Sequence, residues 1–305
     1  MENEREEAER RGASGPDALW AEEQPRLRAL AYRMLGSLAE AEDVVQEAYA
    51  RAYRLSPEQR AAVRSPRAWL TAVTSRLCLD ALGSARARRE RYVGTWLPEP
   101  WPGDELAQAP ADDPASMLAL AESASMALLV VLESMTPAQR VVFVLHDVFQ
   151  YSFDEVAEMV GRTPEACRKL ASAARARVSA SRLAGRRPAD GATLRAFRAA
   201  WQARDLEALI ELLDPEAVAI ADGGGVVRAA LAPVRGPRAI AETLVRVFER
   251  HPGLTLAEHL VNARPGLVAK DRDGSVLAVV GVGSSERGAI DRLWIVRNPF
   301  KLRAW

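Results

Sequence analysis

The residues Ser152-Phe-Asp-Glu-Val-Ala-Glu-Met-Val-Gly-Arg-Thr-Pro-Glu-Ala-Cys-Arg-Lys-Leu-Ala171 spell two short helices and the turn between them. Ser152 with Glu155 three residues on is a capping box, and Thr163-Pro164 restarts a helix after Gly161. Ala157, four residues before that glycine, is small enough to let the second helix pack closely. In the second helix Cys167, Leu170, Ala171, Ala174 and Val178 share one apolar stripe. Glu165, Arg168, Lys169, Ser172 and Arg175 share the opposite face. This is the layout of a helix-turn-helix whose second helix is free to enter a major groove. Arginine and lysine there can contact phosphates or guanine edges. The plain alternative is a solvated basic helix in a bundle; three successive caps and the turn glycine weigh towards DNA. Cys167 falls on the buried stripe and reads as packing, not as a nucleophile.

Working upstream, Thr136-Pro137-Ala138-Gln139 is a further capping box, so three helices are expected, at about 137–147, 153–160 and 164–182. Arg162 to Arg187 holds eight basic residues against Glu165, a net of +7. The preceding segment inverts that sign. From Tyr92 to Gln139 there is no Lys or Arg, but there are seven acids and, in its first part, Pro98, Pro100, Pro102, Pro110 and Pro114. An acidic, proline-rich stretch between helical blocks reads as a linker. Its second half, 115–133, is apolar and proline-free and is expected to be helical.

Further upstream the charge is positive again. Arg64 to Arg91 contains seven arginines against Asp80 and Glu90, a net of +5. A helix from Pro66 to Leu82 is expected to turn Trp69, Leu70, Val73 and Leu77 inward, after a loop over Leu55–Ser65. Leu27, Leu30, Ala31, Met34 and Leu35 form an earlier stripe, ended by Gly36, and Ser37 with Glu40 caps the next helix. On that helix Asp43, Gln46, Glu47, Ala50 and Arg51 share one face, and Val45, Ala48, Tyr49 and Ala52 line another. Taken alone, the first face is a solvated one with an intrahelical Glu47–Arg51 pair.

Downstream of Arg187-Pro188 the texture changes. Two helical stretches, Leu194–Ala203 and Asp205–Leu213, precede short β-type runs at Ala217–Ala221, Leu254–Val261, Leu267–Lys270, Val276–Val282 and Ile290–Val296. A helix, Pro237–Glu249, sits among them. The pattern is that of an α+β domain.

Composition narrows the function classes. Forty-one basic residues balance forty-one acidic ones in 305 residues, so charge is informative only by its placement. Two cysteines, Cys78 and Cys167, exclude a disulfide scaffold and a four-cysteine zinc site. Three histidines leave little room for a histidine metal site; no metal and no cofactor is expected. The charged start, residues 1–15, reads as a frayed tail without the apolar core of a secretion signal. No apolar run is long enough to span a membrane. A reducing cytoplasm is the expected compartment. Thirty-eight of the basic residues are arginine, which suits phosphate binding.

Three segments together carry a family resemblance: Asp43-Val-Val-Gln-Glu-Ala48, Ser65-Pro-Arg-Ala-Trp-Leu-Thr-Ala-Val-Thr-Ser-Arg76 with Cys78-Leu-Asp80, and the late helix-turn-helix. Their order and spacing resemble the extracytoplasmic-function (ECF) sigma factors of bacterial RNA polymerase, sigma-70 family, across residues 16–185. Tyr92-Val-Gly-Thr-Trp-Leu-Pro-Glu-Pro100, Asp222-Gly-Gly-Gly225 and Asn298-Pro-Phe-Lys-Leu302 resemble signatures of the subgroup carrying a C-terminal SnoaL-like (NTF2-like) domain. One departure stands out: the glycine motif of that subgroup continues with lysine, and here Val226 follows.

The resemblance implies a multidomain fold. Two all-α domains, the region 2 bundle (16–92) and the region 4 helix-turn-helix (137–187), flank the acidic linker (93–136). An α+β SnoaL-like curved sheet (188–305) follows. It implies that Asp43, Gln46, Glu47 and Arg51 dock on the clamp helices of the largest polymerase subunit, with region 4 near the flap. Region 2 would open and read the −10 element, with Arg64, Arg67, Arg76, Asp80, Arg86, Arg88 and Arg89 facing DNA and the 55–65 loop helping to choose a base. Region 4 would read the −35 duplex through Arg162, Thr163, Glu165, Arg168, Lys169, Ser172 and Arg175. The linker residues Trp96, Leu97, Pro98, Glu99 and Pro100 would meet Asp222, Gly223, Gly224 and Gly225 and Asn298, Pro299, Lys301 and Leu302 in one regulatory contact, with Trp96 as its rigid apolar anchor. Some SnoaL-like relatives are enzymes; Asp222, His251 and His259 are the obvious acid–base candidates and read as structural, with His259 facing inward, so no turnover is expected. A small ligand in this domain is an open expectation. The rival reading is a helix-turn-helix regulator with a ligand-binding or enzymatic SnoaL-like domain.

Overall fold

In the computed structural model the described residues are 20, 22–89, 92–103, 124–181 and 187–305, without the side chains of 85–89 and 187–188. The chain divides into two compact units. One comprises Met1–Ser84 with Thr136–Ala174; the other comprises Ala85–Met135 with Arg175–Trp305.

The first unit is helical, and its helices begin and end at local signals. Helix α1, Gln24–Leu35, stops at Gly36, whose φ of 69° lets its N–H reach Tyr32 O at 2.7 Å. Helix α2, Leu38–Tyr53, starts at Ser37, whose side chain accepts from the Glu40 N–H. The 55–65 segment is not the simple loop expected. Ser56 and Gln59 form a capping box that launches a short helix, α3, Pro57–Ala62. Helix α4 spans Pro66–Arg89 and so runs well past Leu82. Its buried face is also rotated from the expected one. Leu70, Thr71, Thr74, Ser75 and Cys78 are fully buried, while Trp69, Val73 and Leu77 are half-buried. The Thr71 hydroxyl can be buried because it donates to the Arg67 carbonyl one turn back, at 2.7 Å.

Helix α5, Met126–Glu133, closes the linker and belongs to the second unit. Helix α6, Pro137–Phe143, continues as a π turn over Val144–Val148. Helices α7, Phe153–Val160, and α8, Pro164–Ala180, follow, with Gly161 left-handed at φ 66° between them. Within the first unit α1 is the centre of packing: Leu27, Leu30, Ala31, Met34 and Leu35 have no exposed surface. Arginines tie the region 2 helices to the later ones. Arg26 bonds Thr71 at 3.1 Å and also donates to the Tyr151 hydroxyl, Arg140 donates to Met34 O at 2.9 Å, and Arg33 lies over Phe149 at 5.6 Å. Burial lowers the Arg33 pKa to about 10, which still leaves it charged at neutral pH.

In the second unit strand β1 is Arg187–Pro188, and helices α9, Gly191–Ala203, and α10, Leu206–Leu212, lead into β2, Leu213–Asp222. Then come β3, Val234–Arg235, helix α11, Pro237–Arg250, and β4, Thr255–Val261. Strands β5, Arg264–Lys270, β6, Val276–Ser284, and β7, Ile290–Val296, complete the sheet, and a 3-10 turn spans Pro299–Lys301. The sheet order is β3-β2-β7-β6-β5-β4, with β1 beside β6. Only β2 and β7, among these strands, pair in parallel. Period-2 alternation gives the sheet two apolar faces. Ala217, Ala219, Leu267, Ala269, Val280 and Leu293 point to the helices, in one core with Phe197, Trp201 and Leu244. Val268, Val279, Gly281, Trp294 and Val296 alternate with those residues on the other side.

Candidate functional site

Three groups of residues were singled out by sequence, and the structure treats them differently. The first lies on α2. Asp43, Gln46 and Arg51 are exposed, and Glu47 is half-buried, while Val44, Val45, Ala48 and Ala52 face the bundle. Arg51 Nε bonds Glu47 Oε1 at 2.9 Å, which lowers the Glu47 pKa. Tyr49 is half-buried and donates to Trp20 O at 2.5 Å; burial pushes its pKa up to about 12.

The second group is basic. On α8 the expected division holds residue by residue. Cys167, Ala171 and Ala174 are buried, Leu170 and Val178 are half-buried, and Arg162, Thr163, Glu165, Arg168, Lys169, Ser172 and Arg175 are exposed. Burial also raises the Cys167 pKa, so the group stays a thiol. The Thr163 hydroxyl caps the helix, accepting from Ala166 N at 3.2 Å. Lys169 pairs with Glu165 at 2.8 Å, and the Arg168 guanidinium lies over Phe153 at 5.6 Å. In region 2, Arg64, Arg67 and Asp80 are exposed. Arg76 is engaged: it donates to Met159 O at 2.9 Å and Glu158 O at 3.1 Å on α7. The side chains of Arg86, Arg88 and Arg89 lie outside the described residues, as do the linker acids from Asp104 to Glu122.

The third group converges. Asp222 ends β2 with no exposed surface, and its carboxylate is met by four donors. Oδ1 accepts from the Tyr92 hydroxyl at 2.6 Å and Gly224 N at 3.0 Å; Oδ2 accepts from Leu97 N at 2.9 Å and Lys301 Nζ at 2.8 Å. That fills the acceptor sites of an ionised carboxylate. The Asp222 carbonyl accepts from the N–H groups of Arg297 and Asn298. Lys301 Nζ also donates to Leu97 O at 2.5 Å and lies 4.0 Å from the Trp96 ring centroid. Asn298 caps the 3-10 turn through its Oδ1 and donates through Nδ2 to the Tyr92 hydroxyl at 2.8 Å. Burial, then the Asp222 contact, raises the Tyr92 pKa.

The glycines fit this site for separate reasons. A Cβ on Gly223 would meet Val227 O at 2.3 Å. Gly224 and Gly225 have φ of 64° and 72°, and their Cβ atoms would strike Asn298 and Val93. Val226 is exposed, so the cation at the linker comes from Lys301 and not from the position after the glycines. Trp96 is half-buried; the fully buried linker anchors are Leu97 and Trp101, with Pro98, Glu99 and Pro100 buried between them. Leu302 is buried and Pro299 exposed.

Sequence reasoning missed how the linker continues. Trp101 and Gly103 pair with the β4–β5 hairpin: Trp101 N donates to Asn262 Oδ1 at 3.2 Å, Asn262 N to Trp101 O at 2.8 Å, and Gly103 N to Leu260 O at 2.9 Å. Asn262 and Ala263 are both left-handed, the pattern of a type I′ two-residue hairpin turn. Trp305 Nε1 donates to Pro100 O at 2.9 Å. The Asn-Ala turn was the available signal; the main-chain pairing had none. The three acid–base candidates do not assemble. Asp222 is saturated, His251 caps the end of α11, and His259 is exposed on the edge strand β4, edge-on to Trp305, and not turned inward.

The sequence also matches two family models, Sigma-70 region 2 over residues 19–88 and Sigma-70 region 4 over residues 125–178. The ECF RNA polymerase sigma factor SigJ of Mycobacterium tuberculosis is 39% identical over 286 residues, 90% of this chain and 89% of that protein. Probable ECF RNA polymerase sigma factor SigI of the same species is 36% identical over 290 residues, covering 93% and 94%. The crystal structure of M. tuberculosis SigJ superposes with a TM-score of 0.72 and 34% identity, covering 95% of this chain and 99% of that one. The chain therefore belongs to the ECF sigma factors of RNA polymerase. Among the described residues no helix is long and apolar enough to cross a membrane.

Proposed function

We propose that this sigma factor binds core RNA polymerase and promoter DNA, and that its C-terminal domain controls it in cis by holding the interdomain linker. The observation that carries the regulatory part is the Asp222 carboxylate. It collects Tyr92 and Leu97 from the linker, Gly224 from the glycine motif and Lys301 from the last signature. In this reading the exposed face of Asp43, Gln46, Glu47 and Arg51 docks on the polymerase clamp helices. Arg64, Arg67, Asp80 and the Arg86–Arg89 cluster serve the −10 element. The exposed face of α8 reads the −35 element, its N-terminal turn towards the bases and its arginines towards phosphates. Sigma factors of this family are not enzymes.

The engagement of Arg76 adds a constraint. Its Nε and Nη2 serve carbonyls of α7, so a phosphate contact there either uses the remaining Nη1 donors or opens those bonds. Elements about 25 base pairs apart lie ~85 Å apart on B-DNA, at ~3.4 Å per pair. Regions 2 and 4 packed against each other do not reach both; polymerase, holding each, supplies the separation and the effective concentration. Run-off transcription with purified core polymerase tests the reading. Transcripts from specific start sites are expected only with this chain present. No transcript from any genomic template, with other sigma factors working in parallel, overturns it. Tight binding to duplex DNA without polymerase would favour the rival regulator reading.

A further inference from the structure

A second site lies on the opposite, helix-covered face of the C-terminal sheet. Between that face and α11 is a cavity of about 360 Å³, at the small end of ligand-sized clefts. It exists because the sheet offers alanines where larger residues would fill the space: Ala219 and Ala221 on β2, Ala269 on β5 and Ala278 on β6 line it. The polar atoms of its floor are already satisfied. Trp201 Nε1 donates to Leu244 O at 3.0 Å, and the Thr243 hydroxyl donates to Ala239 O at 2.7 Å. A molecule entering here meets indole, leucine and alanine surface and finds little to hydrogen-bond.

Its other walls differ. Arg228, Arg246, Arg250, Arg297 and His251 line the same cavity, and among the described residues no Asp or Glu does. Arg246 is shared with Glu242 on its own helix, at 3.8 Å. Among the described residues, Arg228, Arg250 and Arg297 have no carboxylate partner. Arg297 is turned towards the Arg228 carbonyl, to which it donates at 2.5 Å, and it carries a lowered pKa from burial and from the nearby charge of Arg250. Like charges held together beside an apolar cavity are unfavourable until an anion joins them.

We infer that this cavity binds a small apolar molecule bearing one acidic group, its body against Trp201, Leu244 and the sheet alanines and its anion between Arg250, Arg297 and Arg228. The site lies apart from the Asp222 clamp, on the other side of the sheet, yet adjoins it along the chain: Arg297 precedes Asn298, and Arg228 follows the glycine motif.

Calorimetric titration of the purified full chain tests this without reference to transcription, so its failure leaves the sigma-factor reading untouched. The probes are octanoate, octan-1-ol and acetate. Octanoate is expected to bind saturably, and the alcohol and acetate at least about tenfold more weakly, one charge-assisted contact being worth about that much. Arg250→Ala, a change at an exposed side chain, should weaken octanoate about tenfold and leave the alcohol unaffected. Ala221→Phe, which fills the cavity, should abolish octanoate binding. No saturable octanoate binding, equal binding of octanol or acetate, or undiminished octanoate binding by Arg250→Ala each overturns the proposal.

Discussion

Asp222 and Lys301 meet with side-chain exposures of 0% and 11%. At that burial the loss of one partner leaves a desolvated charge behind, which costs roughly 3–5 kcal/mol. Lys301→Met should therefore destabilise the second unit by about that amount in denaturant unfolding. Adding Asp222→Asn should recover part of the loss, and strictly additive effects would show that the two do not interact. Tyr92 gives a second readout. A phenol whose pKa is raised on folding adds stability that is complete below its unfolded pKa near 10 and is lost as pH rises through the folded value. Tyr92→Phe should remove one late-ionising tyrosine from an ultraviolet titration and flatten the loss of stability above about pH 10. Asp222 and Lys301 were legible because they stand inside motifs with fixed neighbours. Tyr92 opens the linker signature, but the partners of its hydroxyl do not show there, and Trp101, Asn262 and Trp305 complete the linker contact through main-chain groups and a ring N–H; such pairings between residues far apart in sequence leave no periodic trace.

Helix starts and stops were read well because they depend on residues three or four positions apart. The caps at Ser37, Thr136 and Ser152 and the glycine stops at Gly36 and Gly161 all stand where expected. The inward face of α4 was misread for a reason that also lies in the sequence. Apolarity alone pointed to Trp69, Val73 and Leu77, yet small threonine and serine side chains allow closer helix approach, and Thr71 folds its hydroxyl onto its own helix. On α8 periodicity sufficed, since its buried residues are small and apolar and its charged residues are all exposed. Arg168→Ala and Lys169→Ala should each weaken −35 binding by holoenzyme in a mobility-shift titration. If the contact is to a phosphate, the slope of log K against log salt should fall by about one unit, equally for matched and mismatched sites. A loss confined to one base position would assign the residue to base reading. Both side chains lie on the solvent face, so the fold should be unchanged, which circular dichroism would confirm.

At the scale of the whole molecule, the sheet has a different task on each face. One face packs against helices around an alanine-lined cavity; the other carries the linker that joins the two polymerase-binding regions in sequence. The linker is held by one buried carboxylate, one lysine and a few main-chain bonds, with the apolar side chains of Leu97, Pro98, Pro100 and Trp101 buried beside them. Weakening that contact should then alter how much transcript is made without altering where it starts, because the residues proposed to read the promoter, on α4 and α8, take no part in it. Trp96→Ala, which removes the ring over the Lys301 ammonium, is the mildest test, and a chain ending near Pro188 is the most severe. With equal amounts of core polymerase, both should change run-off yield relative to the full chain and keep the start site mapped by primer extension. A shifted start site would mean that the C-terminal domain takes part in promoter choice. Unchanged yield from both would mean that the Asp222 contact is architecture without control.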